Sequence, residues 1–436
     1  MLAGSDRDGY LQTMADGTLK QVSPFTGTQV WTVPGRGDRP LGIAPVEPKP
    51  LARSAHTSTC AFCSDRYLET PPEKTRVVRD EDGWRELRGV PAADALGTLA
   101  ELRRIPNLYE ILPLEYWRAN YGYAVPDTDR RRMLEYLAEP AGRAHVLRLL
   151  KVKIAAARRR GVGDDELLER EASAFFGSTH DVIVARRHFV DDARDDSELA
   201  SSGTLSTDEH HRYIELTVDS MHELYRSNPF ARYVAVFQNW LKPAGASFDH
   251  LHKQLVAIDE RGVQAELELA RARANPQIYN EAAVNYARRH GLLVAENDHA
   301  IAFAGFGHRY PTLELFSRSA RCTPWRHDAD EIRGMSDLLH ALHAATGAAI
   351  PSNEEWYHQP PDVDVAMPWR IMIKWRVSTI AGFEGGTRIY LNTISPAALR
   401  DRVVPRLVAL RDEDRIAASI RIGDECRCPP DPLRYR

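Results

Sequence analysis

A short segment of the chain, GASFDHLHKQLVAI at residues 245–258, carries the residue types best suited to chemistry. His250 and His252 stand two positions apart, Gln254 follows two positions later, and the segment ends in an apolar run typical of a buried strand. Alternate residues of a strand share one face of the sheet. We therefore predict that these three side chains point the same way, and that Lys253 points to the other side, into solvent.

The two histidines have three interpretations from this segment alone. They can stand by chance on a solvent-facing strand, which is the least favoured because three aligned polar groups follow a Gly-x-Ser turn. They can both bind one metal ion, since neutral imidazole is a common metal ligand. Alternatively, one histidine is a nucleophile toward phosphorus and the other is structural. Imidazole has a reference pKa near ~6.5, so an unprotonated nitrogen is available at neutral pH.

A second candidate motif is the pair Cys60 and Cys63 in TSTCAFCSDR. Five cysteines in 436 residues do not form a disulfide framework. Zinc prefers four ligands, so the pair is half of a zinc site, with a redox pair and free thiols as alternatives. Among the 16 histidines, His188 and His250 are candidates to complete the site because both lie at the ends of β-like stretches.

The elements that position these residues are predicted from hydrophobic periodicity. An amphipathic helix is expected over residues 207–227, followed by strands in YVAVFQN and KQLVAI. After residue 262 the chain turns helical, and a second round of strands follows with one more helix, DADEIRGMSDLLHALHAAT. We predict an α+β protein with two sheet-bearing halves, residues 1–260 and 261–436. A helical pattern at about 108–176 has no strand signal and is predicted to be an insertion in the first half.

Composition excludes several function classes. The net charge of −4 implies no strong attraction to nucleic acid or to an anionic membrane. No apolar run approaches the ~20 residues that a membrane span needs, and the polar N-terminus lacks a signal-peptide pattern. We expect a soluble, cytoplasmic protein.

Five segments together resemble the galactose-1-phosphate uridylyltransferase family, a branch of the histidine triad superfamily. They occur in the family's order over nearly the whole chain: SPFTGTQVWTVPGRGDRP, CAFC, HDVIVARRHF, FQNWLKPAGASFDHLHKQ and AGFEGGTRIYLNTISPAALRDRV. The resemblance implies two histidine-triad-like halves, each an antiparallel sheet with helices. It also implies a homodimer.

The resemblance also implies roles for individual residues. One structural zinc ion per chain would be held by Cys60, Cys63, His188 and His250. His252 would be the nucleophile, and Gln254 would hydrogen-bond the transferred phosphoryl group. Phosphate oxygens of the substrates would be bound by Asn239, Ser247, Arg36 and Arg39.

The implied activity is transfer of a nucleoside monophosphate from a nucleotide sugar to a phosphorylated acceptor, either a sugar 1-phosphate or phosphate. It would proceed through a covalent nucleotidyl-His252 with ping-pong kinetics. Hydrolytic relatives carry a third histidine at the position of Gln254, and a glutamine favours transfer because it cannot shuttle a proton. The alternatives are a phosphorylase or hydrolase of a nucleotide sugar or dinucleoside polyphosphate, and an inactive zinc-stabilised binding protein.

Two positions depart from the family pattern. Leu251 replaces the proline of His-Pro-His, so the backbone there is less constrained. Trp369 and Ile371 stand where relatives with a second metal site carry His-x-His. We therefore expect no second metal.

Overall fold

A computed structural model of the protein describes residues 9–36, 47–157 and 162–436. Within these ranges the strands are Leu11–Thr13 (β1), Leu19–Val22 (β2), Gln29–Thr32 (β3), Thr75–Asp80 (β4), Gly83–Arg88 (β5), Leu102–Pro106 (β6), His180–Ala185 (β7), Tyr233–Trp240 (β8), His252–Ile258 (β9), Leu293–Glu296 (β10), Ala300–Ala304 (β11), Thr312–Ser317 (β12), Ser352–Tyr357 (β13), Arg370–Trp375 (β14), Ile389–Leu391 (β15) and Arg421–Ile422 (β16).

The α-helices of the same ranges are Ala55–Ser58 (α1), Leu114–Tyr121 (α2), Asp127–Ala138 (α3), Pro140–Ala156 (α4), Asp164–Glu171 (α5), Ser173–Phe176 (α6), Thr207–Ser227 (α7), Gly262–Ala274 (α8), Asn285–Arg289 (α9), Ala329–Thr346 (α10), Gly382–Thr387 (α11) and Pro396–Asp412 (α12). A π-helix, Tyr279–Val284, leads into α9. None of the helices in the described ranges is both long and apolar enough to cross a membrane.

The strands form a large antiparallel sheet that runs through both halves of the chain. Its order is β16-β10-β11-β12-β14-β13-β8-β9-β7-β6-β4-β5. The two halves meet where β8 pairs with β13, with Asn239 opposite Asn353. A smaller sheet, β1-β2-β3-β15, ties the N-terminal segment to the C-terminal half through the parallel pair β3–β15. The predicted α+β class is confirmed, and the sheets of the two halves are joined into one.

The same arrangement of strands occurs twice in this sheet. In the first half the order is β7-β9-β8, with α7 preceding β8; in the second it is β12-β14-β13, with α10 preceding β13. This repetition of topology agrees with two histidine-triad-like halves. The boundary at residue 260 stays a prediction.

Helix α7 has the range predicted from its periodicity, and its start has a clear local cause. The Ser206 side chain accepts a hydrogen bond from the Glu209 N–H at 3.2 Å, and the Glu209 carboxylate accepts one from the Ser206 N–H at 2.7 Å. This capping box satisfies two backbone donors that the helix leaves free. The cap is thus Ser206, and Thr207 is the first residue of the helix.

Helices α7 and α10 cover one face of the large sheet. Tyr213 and Met221 of α7 share a hydrophobic core with Leu251 and Leu255 of the segment 245–258, and all four side chains are fully buried. Burial of each such side chain stabilises the fold by about 1.5–3 kcal/mol. The opposite face of β9 is therefore the one left for ligands.

Helices α2–α6 lie between β6 and β7 and have a small core of their own. It is formed by Val146, Leu149, Leu150, Leu167, Leu168, Ala172, Phe175 and Phe176. The limits of an insertion at 108–176 stay a prediction.

Candidate active site and metal centre

The four predicted metal ligands lie together. The Sγ atoms of Cys60 and Cys63 are 3.8 Å apart, and the Nδ1 atom of His188 is 3.5 Å from both. The Nδ1 atom of His250 is 3.5 Å from the first sulfur and 3.7 Å from the second. A tetrahedral zinc ion bound at normal distances separates two sulfur ligands by about 3.8 Å and a sulfur from a nitrogen by about 3.5 Å. The spacing of these atoms fits such an ion.

The protonation of His250 also fits a metal. Its Nε2 atom lies 2.7 Å from the carbonyl oxygen of Ala185, which can only accept a hydrogen bond, so Nε2 carries the proton. The Nδ1 atom is therefore unprotonated, and it faces the two sulfurs. A backbone partner of this kind orients a metal-binding imidazole. Among the described residues, this is the one group of His, Cys, Asp and Glu side chains arranged to hold a metal ion.

His252 begins strand β9 and is 5% exposed. Its Nδ1–H donates to the carbonyl oxygen of His250 at 2.7 Å, so the lone pair is on Nε2. Burial lowers the pKa of this imidazole to about 4, against the opposing effect of the His250 carbonyl. The ring is a neutral base whose reactive nitrogen lies away from the backbone.

The side chain of Gln254 is held by a histidine that the sequence analysis did not single out. The Nδ1 atom of His180 accepts from the Ile111 N–H at 3.2 Å, so the proton of this ring is on Nε2. That Nε2–H donates to Oε1 of Gln254 at 3.0 Å. Asn107 donates a second, longer bond of 3.4 Å to the same oxygen. The amide NH2 group of Gln254 is thereby left as the donor toward the cavity.

His252 and Gln254 line a cavity of about 480 Å³. One wall is apolar: the Phe62 ring, between the two cysteines in sequence, lies 5.3 Å from the His252 ring and 4.7 Å from Phe248. Tyr109, which is 59% exposed, also lines the cavity. The size and lining suit a planar aromatic group beside a polar one.

The remaining predicted residues occupy different places. Ser247 lines the same cavity as His252. Asn239 of β8 lines a neighbouring cavity and accepts a hydrogen bond from Asn353 at 2.7 Å. Arg36 is exposed in a turn at the end of a described range, and Arg39 lies outside the described residues. The roles of all four in phosphate binding stay predictions.

The expectation that Lys253 faces solvent is wrong. The residue is fully buried, with its ammonium group ion-paired to Glu354 of β13. Glu354 also accepts a hydrogen bond from Nε2 of His343 at 2.7 Å. Lys253 does point away from His252, as the strand alternation requires, but that side of the sheet is covered by helices α7 and α10.

Comparison with known proteins identifies the family of this chain. A family profile described as "Domain of unknown function (DUF4921)" matches residues 14–435. The chain belongs to the DUF4921 family. This DUF4921 protein is 24% identical over 173 residues to an ADP-glucose phosphorylase of Arabidopsis thaliana. The match covers 38% of the chain and 49% of the relative, and so spans about half of the relative's length.

Two solved structures share the fold of this DUF4921 protein. The crystal structure of an ADP-glucose phosphorylase from Arabidopsis thaliana with bound ADP-glucose aligns at a TM-score of 0.57 and 18% identity, over 88% of this chain and 97% of that one. A GalT-like protein from the same plant aligns at 0.54 and 17% identity, over 89% and 98%. The GalT-like, histidine-triad fold that the sequence motifs indicate is confirmed.

Proposed function

We propose that this protein transfers a nucleoside monophosphate from a nucleotide sugar to a phosphate acceptor through a covalent nucleotidyl-His252. The observation that carries the proposal is the unprotonated Nε2 of His252, fixed by the bond from Nδ1 to the His250 carbonyl, beside the free amide donor of Gln254. A neutral imidazole nitrogen next to a hydrogen-bond donor is the arrangement that attack on a phosphoryl group needs.

In the first step the Nε2 lone pair attacks the α-phosphorus of the nucleotide sugar. The bond from that phosphorus to the bridging oxygen breaks, and the electron pair leaves with the sugar 1-phosphate. A phosphate leaves as an anion, so this step needs no proton donor. The positive charge that develops on the ring is stabilised because the Nδ1–H of His252 points at the carbonyl oxygen of His250, 2.7 Å away.

In the second step an oxygen of the acceptor phosphate attacks the same phosphorus. The phosphorus–nitrogen bond breaks, His252 recovers its lone pair, and a nucleoside diphosphate leaves when the acceptor is inorganic phosphate. Gln254 acts in both steps: with Oε1 held by His180, its NH2 group donates to a nonbridging oxygen of the transferred phosphoryl group. Ser247 lines the same cavity, and its hydroxyl is proposed to donate to a second oxygen.

The four-residue cluster would hold a structural zinc ion. Four protein ligands leave no open coordination position, so the ion would supply rigidity rather than an activated water. The same site would also position the nucleophile, because His250 lies two residues before His252 and its carbonyl oxygen orients the His252 ring.

Inorganic phosphate is the favoured acceptor and ADP-glucose the first donor to test, because one relative is named an ADP-glucose phosphorylase. The apolar wall formed by Phe62 and Phe248 is proposed to stack on the nucleobase. A sugar 1-phosphate as acceptor requires the same His252 and Gln254 and is the second candidate.

The test is the intact mass of the zinc-loaded protein after incubation with ADP-glucose, UDP-glucose or GDP-mannose and no acceptor. The expected result is a gain of one nucleoside monophosphate from one donor. The gain should be absent in His252→Ala and present in His290→Ala, which changes an exposed histidine. Phosphate should then release the nucleoside diphosphate. The proposal fails if none of the donors modifies the wild-type chain or if His252→Ala is modified equally.

A further inference from the structure

A second large cavity, of about 460 Å³, lies on the face of the sheet opposite His252. We call it the basic pocket; the charged residues that line it are Lys74, Arg88, Arg104, Arg132 and Arg226, with Asp129 and Glu223. It has no lining residue in common with the His252 cavity. Strand alternation explains the separation, since Arg104 of β6 lines the basic pocket and the next residue, Ile105, lines the other cavity.

Positive charge predominates in the basic pocket. Five lysine and arginine side chains line it against two carboxylates. Beneath it, the buried carboxylate of Asp181 is shared between Lys74 and Arg104, at 2.7 Å from each. Glu223 is likewise shared, between Arg104 and Arg88. These carboxylates fix the floor of the pocket by ion pairs that are already formed.

Two cations of the pocket remain poorly compensated. The closest carboxylate to Arg132 is that of Asp129, at 3.6 Å, and the buried Nε atom of Arg132 has no hydrogen-bond partner. Arg226 is exposed at the end of α7 and has no ion-pair partner within the described part of the chain. A buried guanidinium donor without a partner costs free energy, and an anionic ligand would remove that cost.

We propose that the basic pocket binds a phosphate-bearing small molecule, at a site distinct from the catalytic cavity. Arg132 and Arg226 are the ligand-binding cations, because the guanidinium group matches the geometry of phosphate. Arg132 keeps an Nε donor without a partner, and Arg226 has no ion pair among the described residues. The start of helix α3 lies at the same pocket through Pro126 and Thr128, and its backbone N–H groups add positive potential. The volume is enough for a sugar phosphate or a nucleoside monophosphate.

The pKa values of the lining groups agree with this geometry. Burial lowers the pKa of both the Arg132 guanidinium and the Lys74 ammonium from their ordinary values. Both groups therefore lie in surroundings that disfavour positive charge, and a bound phosphate would stabilise their charged forms.

The experiment is calorimetric titration of the full, zinc-loaded chain with inorganic pyrophosphate. Arg226→Glu and Arg132→Gln should each weaken binding by about tenfold or more. Arg212→Glu is the matched control, since this partly exposed arginine lies on the same helix α7 but outside the pocket. It should bind pyrophosphate as the wild type does.

A second arm separates the pocket from the catalytic site. Binding should persist in His252→Ala saturated with the nucleotide sugar, because the two cavities lie on opposite faces. The inference is overturned if pyrophosphate does not bind at millimolar concentration, if Arg226→Glu and Arg132→Gln bind it normally, or if the nucleotide sugar displaces it. These results concern the basic pocket alone and leave the nucleotidyl-histidine test unaffected.

Discussion

The imidazole of His180 donates a hydrogen bond from Nε2 to Oε1 of Gln254 across 3.0 Å. Its other nitrogen is occupied by the N–H of Ile111, so the ring cannot offer a lone pair to the glutamine instead. The amide oxygen of Gln254 thus faces His180 on the neighbouring strand β7, and its NH2 group faces the cavity.

Replacing His180 tests this orientation. His180→Phe keeps a ring at the same place but leaves Gln254 without its main donor. We expect kcat/KM for the nucleotide sugar to fall by about 10- to 100-fold, the range typical of partners that orient a reacting group. KM should change less than kcat, since the oriented amide acts mainly in the transition state. Asn107→Ala removes the longer 3.4 Å bond and should cost less. Equal losses in both variants would refute the assigned geometry.

Gln254→His tests the preference for transfer over hydrolysis. A histidine at this position could accept a proton from water attacking the nucleotidyl-His252, which a glutamine cannot do. We expect the ratio of nucleoside monophosphate to nucleoside diphosphate among the products to rise by roughly tenfold or more. Gln254→Asn, which cannot move a proton either, should lower the rate without raising that ratio. Chromatographic product analysis in the presence of phosphate measures both.

The metal centre gives a prediction about composition and stability. The wild-type chain should contain one zinc ion, and Cys63→Ser should contain none, by elemental analysis. The loss should lower the free energy of unfolding by about 3 kcal/mol or more, because structural zinc sites couple ion binding to folding. Cys322→Ser, in a buried cysteine outside the cluster, should retain the ion. Zinc in the Cys63→Ser protein at the wild-type level would contradict the ligand set.

Local patterns predicted much of this molecule. The range of α7 follows from its periodicity, and the cysteine motif together with the family resemblance names the four residues that could hold a metal ion. His180 was missed because a histidine at the start of an apolar strand carries no local sign that it will meet Gln254, which is 74 positions away. Only the pairing of β7 with β9, set by the whole sheet, brings the two together.

The prediction that Lys253 faces solvent failed for a different reason. Alternation correctly placed it across the strand from His252, but alternation does not say what covers that side of the sheet. Its partner Glu354 lies on β13, in the other half of the chain. The joining of the two sheets at β8 and β13 could not be inferred from either strand alone.

Breaking the buried ion pair between Lys253 and Glu354 should lower the free energy of unfolding more than breaking a more exposed ion pair. Lys253→Met leaves a buried carboxylate with a partner removed, which should cost about 3–5 kcal/mol in urea unfolding. The double variant with Glu354→Gln should recover part of that loss, since no buried charge is then left unpaired. The control is Lys374→Met, whose partner Glu355 is 33% exposed, and it should cost less. Equal costs for the two single lysine variants would show that burial of the pair does not matter.

Stability should fall in acid partly because of His358, which is 2% exposed. Its ring stacks on Tyr233 with centroids 4.7 Å apart, and its Nε2 atom is hydrogen-bonded to the Tyr225 hydroxyl at 2.9 Å. Burial lowers the pKa of His358 to about 3, whereas the unfolded chain has a value near ~6.5. The unfolded state therefore binds the extra proton, and stability is lost as the pH falls from the unfolded pKa toward the folded one.

This contribution has a slope of up to about 1.4 kcal/mol per pH unit. His358→Phe preserves a stacked ring but cannot be protonated, so it should remove that part of the slope between about pH 6 and pH 4. His290→Phe, in an exposed ring, should keep the wild-type slope. Urea unfolding at several pH values measures the slopes directly, so any constant cost of either substitution cancels. An unchanged slope in His358→Phe would mean that this buried imidazole does not take up its proton on unfolding.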